Sequence, residues 1–205
     1  MPKHKNDHRP PLKERGPMPA IILTIICAVC VALLALTATV TSDAREAQAQ
    51  YMADLHKRSL FPDATLFEDE TLQASGEHVP GATVIDVPND FPDVQNVIVV
   101  HEGDDVVGVI IQAATPGYAG KVPVMVGFNL DGAIEGIVVD AAGETPSLGQ
   151  NTAEPDFTNQ FAGRDASDSF GDIDAVTNAT ISSNSVVTSV GIAADVYTAM
   201  MKGAK

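Results

Sequence analysis

The chain is expected to be an α+β protein: a single N-terminal transmembrane helix followed by an antiparallel-sheet domain with packed helices. Three observations predict this. Gly16 to Ser42 carries no charged residue, four β-branched runs between Val94 and Asp140 are separated by glycine-containing turns, and the last twenty residues repeat apolar positions at helical spacing. A long apolar run, hairpin signals and a 3.6-residue period are the three patterns that membrane spans, antiparallel sheets and amphipathic helices impose on a sequence.

The first element follows from length and charge. The centre of the uncharged stretch, AIILTIICAVCVALLALTATV, is apolar apart from a few threonines. At about 1.5 Å per helical residue such a run exceeds the roughly 30 Å of a hydrocarbon core. Five of the 12 basic residues precede it (Lys3, Lys5, Arg9, Lys13, Arg15), and nearly all of the 27 acidic residues follow it. By the positive-inside rule, residues 1–15 are expected to form a cytoplasmic tail, 16–42 the anchor, and everything beyond to lie outside the cytoplasm. A cleaved secretory signal shares the basic start and apolar run. Here the run is longer than the usual signal and only the weak Ala47-Gln48-Ala49 follows it as a cleavage site, so a retained single-pass anchor in the cell membrane is favoured.

Asp43 to Ser59 is rich in helix formers and predicts a helical stalk over residues 43–62, ending at Leu60-Phe61-Pro62. The domain is then expected over 63–205. Its strands are Val94–Glu102, Val106–Thr115, Lys121–Asn129 and Ala133–Asp140, with turns at Gly103-Asp104-Asp105 and Asp131-Gly132. Glu154–Gly163 reads as a short helix closed by glycine. Ser183–Lys202 predicts a final helix with Val186, Val190, Ala193, Ala194, Tyr197 and Met201 on one face, Ser182 or Ser183 as N-cap, and Gly203 after its last turn.

Composition excludes several functions. A formal charge of -15 with no basic stripe leaves nothing to follow a phosphate backbone, so no nucleic-acid partner is expected. Trp is absent and aromatics make up 5% of the chain, which disfavours stacking platforms for bases or sugars. His4, His8, His56, His78 and His101 show no ligand spacing, so no protein metal site is expected. Cys27 and Cys30 have a C-x-x-C spacing but fall within the apolar run, where cysteine more commonly serves as a small apolar residue than as a redox pair.

Chemistry concentrates before the last helix. Asp174-Ala175-Val176-Thr177-Asn178-Ala179-Thr180-Ile181-Ser182-Ser183 is dense in hydroxyls and leads into a helix N-terminus. Unpaired N–H groups and the positive dipole end make such a terminus a phosphate site. Hydroxyl-rich turns also cap many helices that bind nothing.

This segment resembles the D-x-x-[ST]-G-A-T flavinylation motif of the FMN-binding domains in the G subunit of the Rnf electron-transport complex and the C subunit of the Na+-translocating NADH:quinone reductase. Asp174, Thr177, Ala179 and Thr180 match it, and Asn178 stands where the family usually has Gly. Asn tolerates a left-handed backbone best after Gly, so the turn is expected to survive. Other pieces recur in order: Pro116-Gly117-Tyr118-Ala119-Gly120 with Val122 to Gly127 is similar to a glycine-rich turn and V-M-V-G strand. Glu144-Thr145-Pro146-Ser147-Leu148-Gly149 resembles an E-T-P-G-L-G loop with Ser147 replacing Gly, and Pro155, Phe157, Gln160 and Phe161 meet a P-x-F-x-x-Q-F pattern.

The resemblance implies FMN joined to the Thr180 hydroxyl through a phosphoester, attached by a flavin transferase that uses FAD. It further implies an electron-relay subunit of a membrane-bound ferredoxin:NAD oxidoreductase coupled to Na+ or H+ movement, with other subunits of the redox complex and the lipid bilayer as partners. Glu144, Thr145 and Leu148 would be candidates for the flavin wall, and Thr177 and Ser182 for the phosphate turn. A stand-alone anchored flavin domain serving another extracytoplasmic acceptor would share every motif. A flavin-free anchored interaction module would require Asn178 and Ser147 to have broken the site.

Overall fold

The computed structural model describes residues 18–202, so the basic tail and the Gly203 cap lie outside the described residues. Helix α1 (Met18–Leu60) is continuous, and its N-terminal portion is long and apolar enough by length and composition to cross a membrane. Thr24, Thr37, Thr39 and Thr41 return their hydroxyls to carbonyls three or four residues earlier, so they add no unpaired polar group to that surface. The chain divides into two compact units, Met1–Met52 and Ala53–Lys205.

The second unit is built on one five-stranded antiparallel meander, ordered β1-β2-β3-β4-β5. Its strands are β1 (Leu66–Asp69), β2 (Val94–Glu102), β3 (Asp105–Pro116), β4 (Lys121–Asn129) and β5 (Ile134–Val139). The four strands read from β-branched runs are present, β2 and β4 with the expected bounds. Edge strand β1 was not legible, because LFED is four residues long, has no buried position, and is a strand only through pairing with β2.

One face of the sheet carries the main core. Alternate residues Val97, Val99, Val109, Ile111, Val124, Val126 and Phe128 meet Val186, Val190, Ala193 and Tyr197 of the C-terminal helix α4 (Thr180–Met201). This period-2 against period-3.6 match packs α4 across β3 and β4. A polar strut fixes its register: Thr115 of β3 donates to the Ser185 carbonyl at 2.8 Å, and the Ser189 hydroxyl accepts the Thr115 N–H at 3.2 Å.

The opposite face is covered by a smaller cluster in which Leu60 and Phe61 pack on Ile98, Val100, Ile110 and Met125. Glycines on neighbouring strands make room for them. A Cβ at Gly108 would fall 2.7 Å from the Phe61 ring, and one at Gly127 2.9 Å from it. Leu60 and Phe61, read from sequence as the end of a stalk, are thus core residues of the domain.

Two helices differ from expectation. Glu154–Gly163 is helical only over α3 (Pro155–Thr158), preceded by a 3-10 turn at Gly149–Ala153. After α3 the chain tightens, with Gln160 and Phe161 N–H groups bonding three residues back, so that Phe157 and Phe161 bury together with rings 5.7 Å apart. Helix α4 begins at Thr180, earlier than Ser183, and neither Ser182 nor Ser183 is its N-cap. Asn178 turns the chain at φ 63°, Ala179 takes the cap position, and its carbonyl accepts the Ser183 N–H at 2.9 Å.

Candidate functional site

Thr180 is the first residue of a 22-residue helix whose N-terminus has no side-chain cap. Its position follows from the left-handed turn at Asn178, which brings the chain into α4 with the first N–H groups unpaired. Thr180 opens onto a cleft of about 520 Å³ lined also by Tyr118, Thr145, Leu148, Gly149, Asn178, Ala179, Ile181 and Ser182. Three segments distant in sequence therefore meet: the glycine-rich turn after β3, the loop after β5, and the start of α4.

The predicted residues do not share one location. Thr145, Leu148, Asn178, Ala179, Thr180 and Ser182 line the cleft. Asp174 and Thr177 instead face a neighbouring depression with Asn151, Glu154, Asp156 and Gln160. Their loop is held by Gln160, whose amide accepts the Asp174 N–H at 2.8 Å and donates to the Asp174 carbonyl at 3.2 Å. It is also held by Ser183, whose hydroxyl accepts the Val176 N–H at 3.0 Å.

Glu144 lies beneath the cleft rather than in its wall, with 4% of its surface exposed. One carboxylate oxygen accepts the Ser182 hydroxyl at 2.5 Å and the other the Ala119 N–H at 3.0 Å. Burial pushes this carboxyl's pKa up. The Ser182 hydroxyl and the N–H groups of Ala119, Tyr118 and Gly120 outweigh it and hold the pKa below the usual value. Gly117 and Gly149 leave room for the carboxylate, because a Cβ at either would stand 2.7 Å from one of its oxygens.

Tyr118, Gly149 and Ile181 complete the site and were not among the predicted contacts. Tyr118 is 70% exposed at the tip of the glycine-rich turn, and Ile181 projects from the first turn of α4. An exposed aromatic between glycines and an exposed isoleucine beside a hydroxyl-rich turn were the available signals. Among the described residues there is no cluster of His, Cys, Asp or Glu suited to a metal ion.

The cleft joins an apolar rim to the uncapped start of a helix. Tyr118, Leu148 and Ile181 supply exposed apolar surface, the α4 terminus supplies N–H donors, and the volume falls within the range of small-molecule sites. Residues 117–195, which contain every cleft residue, match the FMN-binding domain family. The G subunit of the ion-translocating oxidoreductase complex of Methanosarcina acetivorans is 32% identical over 87% of this chain and 93% of that protein. The G subunit of the Na+-translocating ferredoxin:NAD+ oxidoreductase complex of Acetobacterium woodii is 29% identical over 89% of this chain and 91% of that protein. The crystal structure of the C subunit of the Na+-translocating NADH-quinone reductase from Parabacteroides distasonis aligns at a TM-score of 0.49 and 20% identity, over 68% of this chain and 78% of that one. The chain belongs to the family of G subunits of ion-translocating oxidoreductase complexes.

Proposed function

We infer that this chain is the flavin-bearing electron-relay subunit of a membrane-bound ferredoxin:NAD oxidoreductase that translocates Na+ or H+, and that it carries FMN as a phosphoester on Thr180. The carrying observation is the placement of a threonine at the uncapped start of a long helix, on the edge of a cleft with an apolar rim. The names of the related proteins supply the complex.

In this reading each residue has a physical task. The N–H groups at the start of α4 hold the phosphate against the positive end of the helix dipole. Asn178 sets the turn that presents Thr180, and Ala179 keeps that turn compact. Tyr118, Leu148 and Ile181 grip the ring system and shed water from it, while Thr145 offers a hydroxyl at the cleft edge. Asp174 and Thr177, facing away from the cleft, present the loop to the flavin transferase that makes the ester. The bound flavin supplies the electron-carrying chemistry, and the protein provides attachment, orientation and field. Anchoring by α1, with the N-terminus in the cytoplasm and the domain outside, places that carrier at the membrane beside the other subunits.

Expression with a flavin transferase tests the attachment. Wild-type protein is expected to fluoresce on a denaturing gel, with the adduct on the tryptic peptide from Asp165 to Lys202, and Thr180→Val to be folded and colourless. An adduct persisting in Thr180→Val would place the bond elsewhere. Full activity of a complex assembled with flavin-free Thr180→Val would remove the relay role.

A further inference from the structure

We propose that Glu144 is a fixed buried anion beneath the cleft floor, acting on the flavin through its field and through Ser182 rather than by contact, and lowering the flavin's reduction potential. This rests on the flavin reading given above.

Glu144 does not line the cleft but adjoins two residues that do. Ser182 and Gly149 line the cleft, and both press on the carboxylate: the Ser182 hydroxyl at 2.5 Å, and Gly149 so closely that a Cβ there would reach Oε2 at 2.7 Å. From the other side Ala119 donates at 3.0 Å, and Gly117 leaves no room for a Cβ beside Oε1. Two hydrogen bonds, and two glycines too close to admit a side chain, enclose the carboxylate from three segments. Its donors satisfy the ionised form. Among the described residues, no cation lies within salt-bridge distance of that charge.

A carboxylate so placed has two consequences. As a structural brace it ties the glycine-rich turn to the first turn of α4, which orients two walls of the cleft. As a charge it opposes the addition of electrons to a neighbouring group, and burial shields that effect from salt. A brace alone predicts the first consequence and not the second. Gln at the same position keeps the shape and can still bond both Ala119 and Ser182, the second with the donor reversed, while it removes the charge.

The test is a potentiometric titration of purified, transferase-treated full-length protein, with loading checked by mass. Glu144→Gln is expected to retain the Thr180 adduct and to shift the flavin midpoint potential upward, with the shift preserved at high salt. A loaded Glu144→Gln protein with the wild-type potential would overturn the inference while leaving the attachment reading intact; absence of flavin from wild-type protein would overturn both. A second measurement needs no variant. Coupling between two sites is reciprocal, so reduction of the flavin must raise the pKa of Glu144 in the wild-type protein. Carboxyl-carbon nuclear magnetic resonance of glutamate-labelled protein should show the Glu144 titration at higher pH in the reduced than in the oxidised state. Identical titrations would overturn the proposal even if Glu144→Gln failed to fold.

Discussion

The side-chain amide of Gln160 pairs with the backbone of Asp174 at both ends, accepting its N–H at 2.8 Å and donating to its carbonyl at 3.2 Å. Gln160 is in turn held by Arg164, whose Nε donates to the Gln160 carbonyl at 2.8 Å while its guanidinium engages Asp168 and Asp172. The start of the loop leading to Thr180 is therefore fixed by a side chain fourteen residues earlier. Gln160→Ala removes two hydrogen bonds of about 1 kcal/mol each. It is expected to lower stability by roughly 1–2 kcal/mol and to slow flavin loading, and Gln160→Glu should lose at least as much, because a carboxylate oxygen would replace the donor facing the Asp174 carbonyl. Chemical denaturation and time-resolved loading by a transferase would check both.

The same loop is arranged by contacts that sequence spacing does not encode. Val94–Glu102 and Lys121–Asn129 were legible because β-branched runs end at turn residues; the hydroxyl-rich segment before the last helix was legible too, and Thr180 within it lines a cleft. The division of that segment was not: Asp174 and Thr177 face one depression and Thr180 another, which depends on the left-handed residue at Asn178 and the Gln160 clamp. Nor does spacing foretell that Glu144 meets Ser182, 38 residues away, since that contact exists only once the loop after β5 has packed on α4. Leu60 and Phe61 looked like the end of a helical stalk because their cavity is made by glycines on strands that come later in the chain.

Two positions where the family pattern has glycine sit in the left-handed region, Ser147 at φ 60° and Asn178 at φ 63°. That conformation costs a serine about 1–2 kcal/mol, and glycine gives back roughly 0.5–1 kcal/mol through unfolded-state entropy. Ser147→Gly is therefore expected to stabilise the domain by about 0.5–1 kcal/mol. Asn178→Gly should be close to neutral, because asparagine bears the left-handed backbone with less strain. Urea midpoints of the two variants would show the difference.

Gly149 and Gly143 lie in the same loop and make opposite predictions. A Cβ at Gly149 would press on Glu144 and Ser182 at 2.7 Å, whereas one at Gly143 meets nothing within 4 Å. Gly149→Ala should cost about 1–3 kcal/mol as an overpacked site, and reduce flavin loading, while Gly143→Ala stays within about 0.5 kcal/mol of wild type. Urea titrations and the flavin content of the two variants would check this.

Phe61 closes the outer face of the sheet over Gly108 and Gly127 and is 9% exposed. Phe61→Ala is expected to destabilise the domain by about 3–5 kcal/mol, the usual cost of emptying an aromatic site. A domain expressed from Asp63 onward lacks Leu60 as well and should show at least that deficit, and one beginning at Ala53 should recover it. Thermal melts of the three proteins would check this.

Acid stability offers a test of Glu144 that needs no cofactor. Its pKa in the folded protein is lowered, because hydrogen bonds from Ser182 and the glycine-rich turn outweigh the effect of burial. A group of this kind contributes stability that is fully present above its unfolded pKa and is lost as pH falls through the lower folded value. Asp165 and Asp172 are also lowered, the first by hydrogen bonds from Ser167 and the second by those from Arg164, so wild-type stability alone would mix three groups of the same sign. The difference between wild type and Glu144→Gln isolates one of them. The stability difference between the two proteins is expected to be constant from neutral pH down to the ordinary carboxylate range. Below that range the wild type should lose stability faster than the variant, because only the wild type has a carboxylate at this site to protonate. Urea titrations of flavin-free protein at a series of pH values would measure it, and parallel curves throughout the acid range would show that the Glu144 carboxyl is not held below its usual pKa in the folded state.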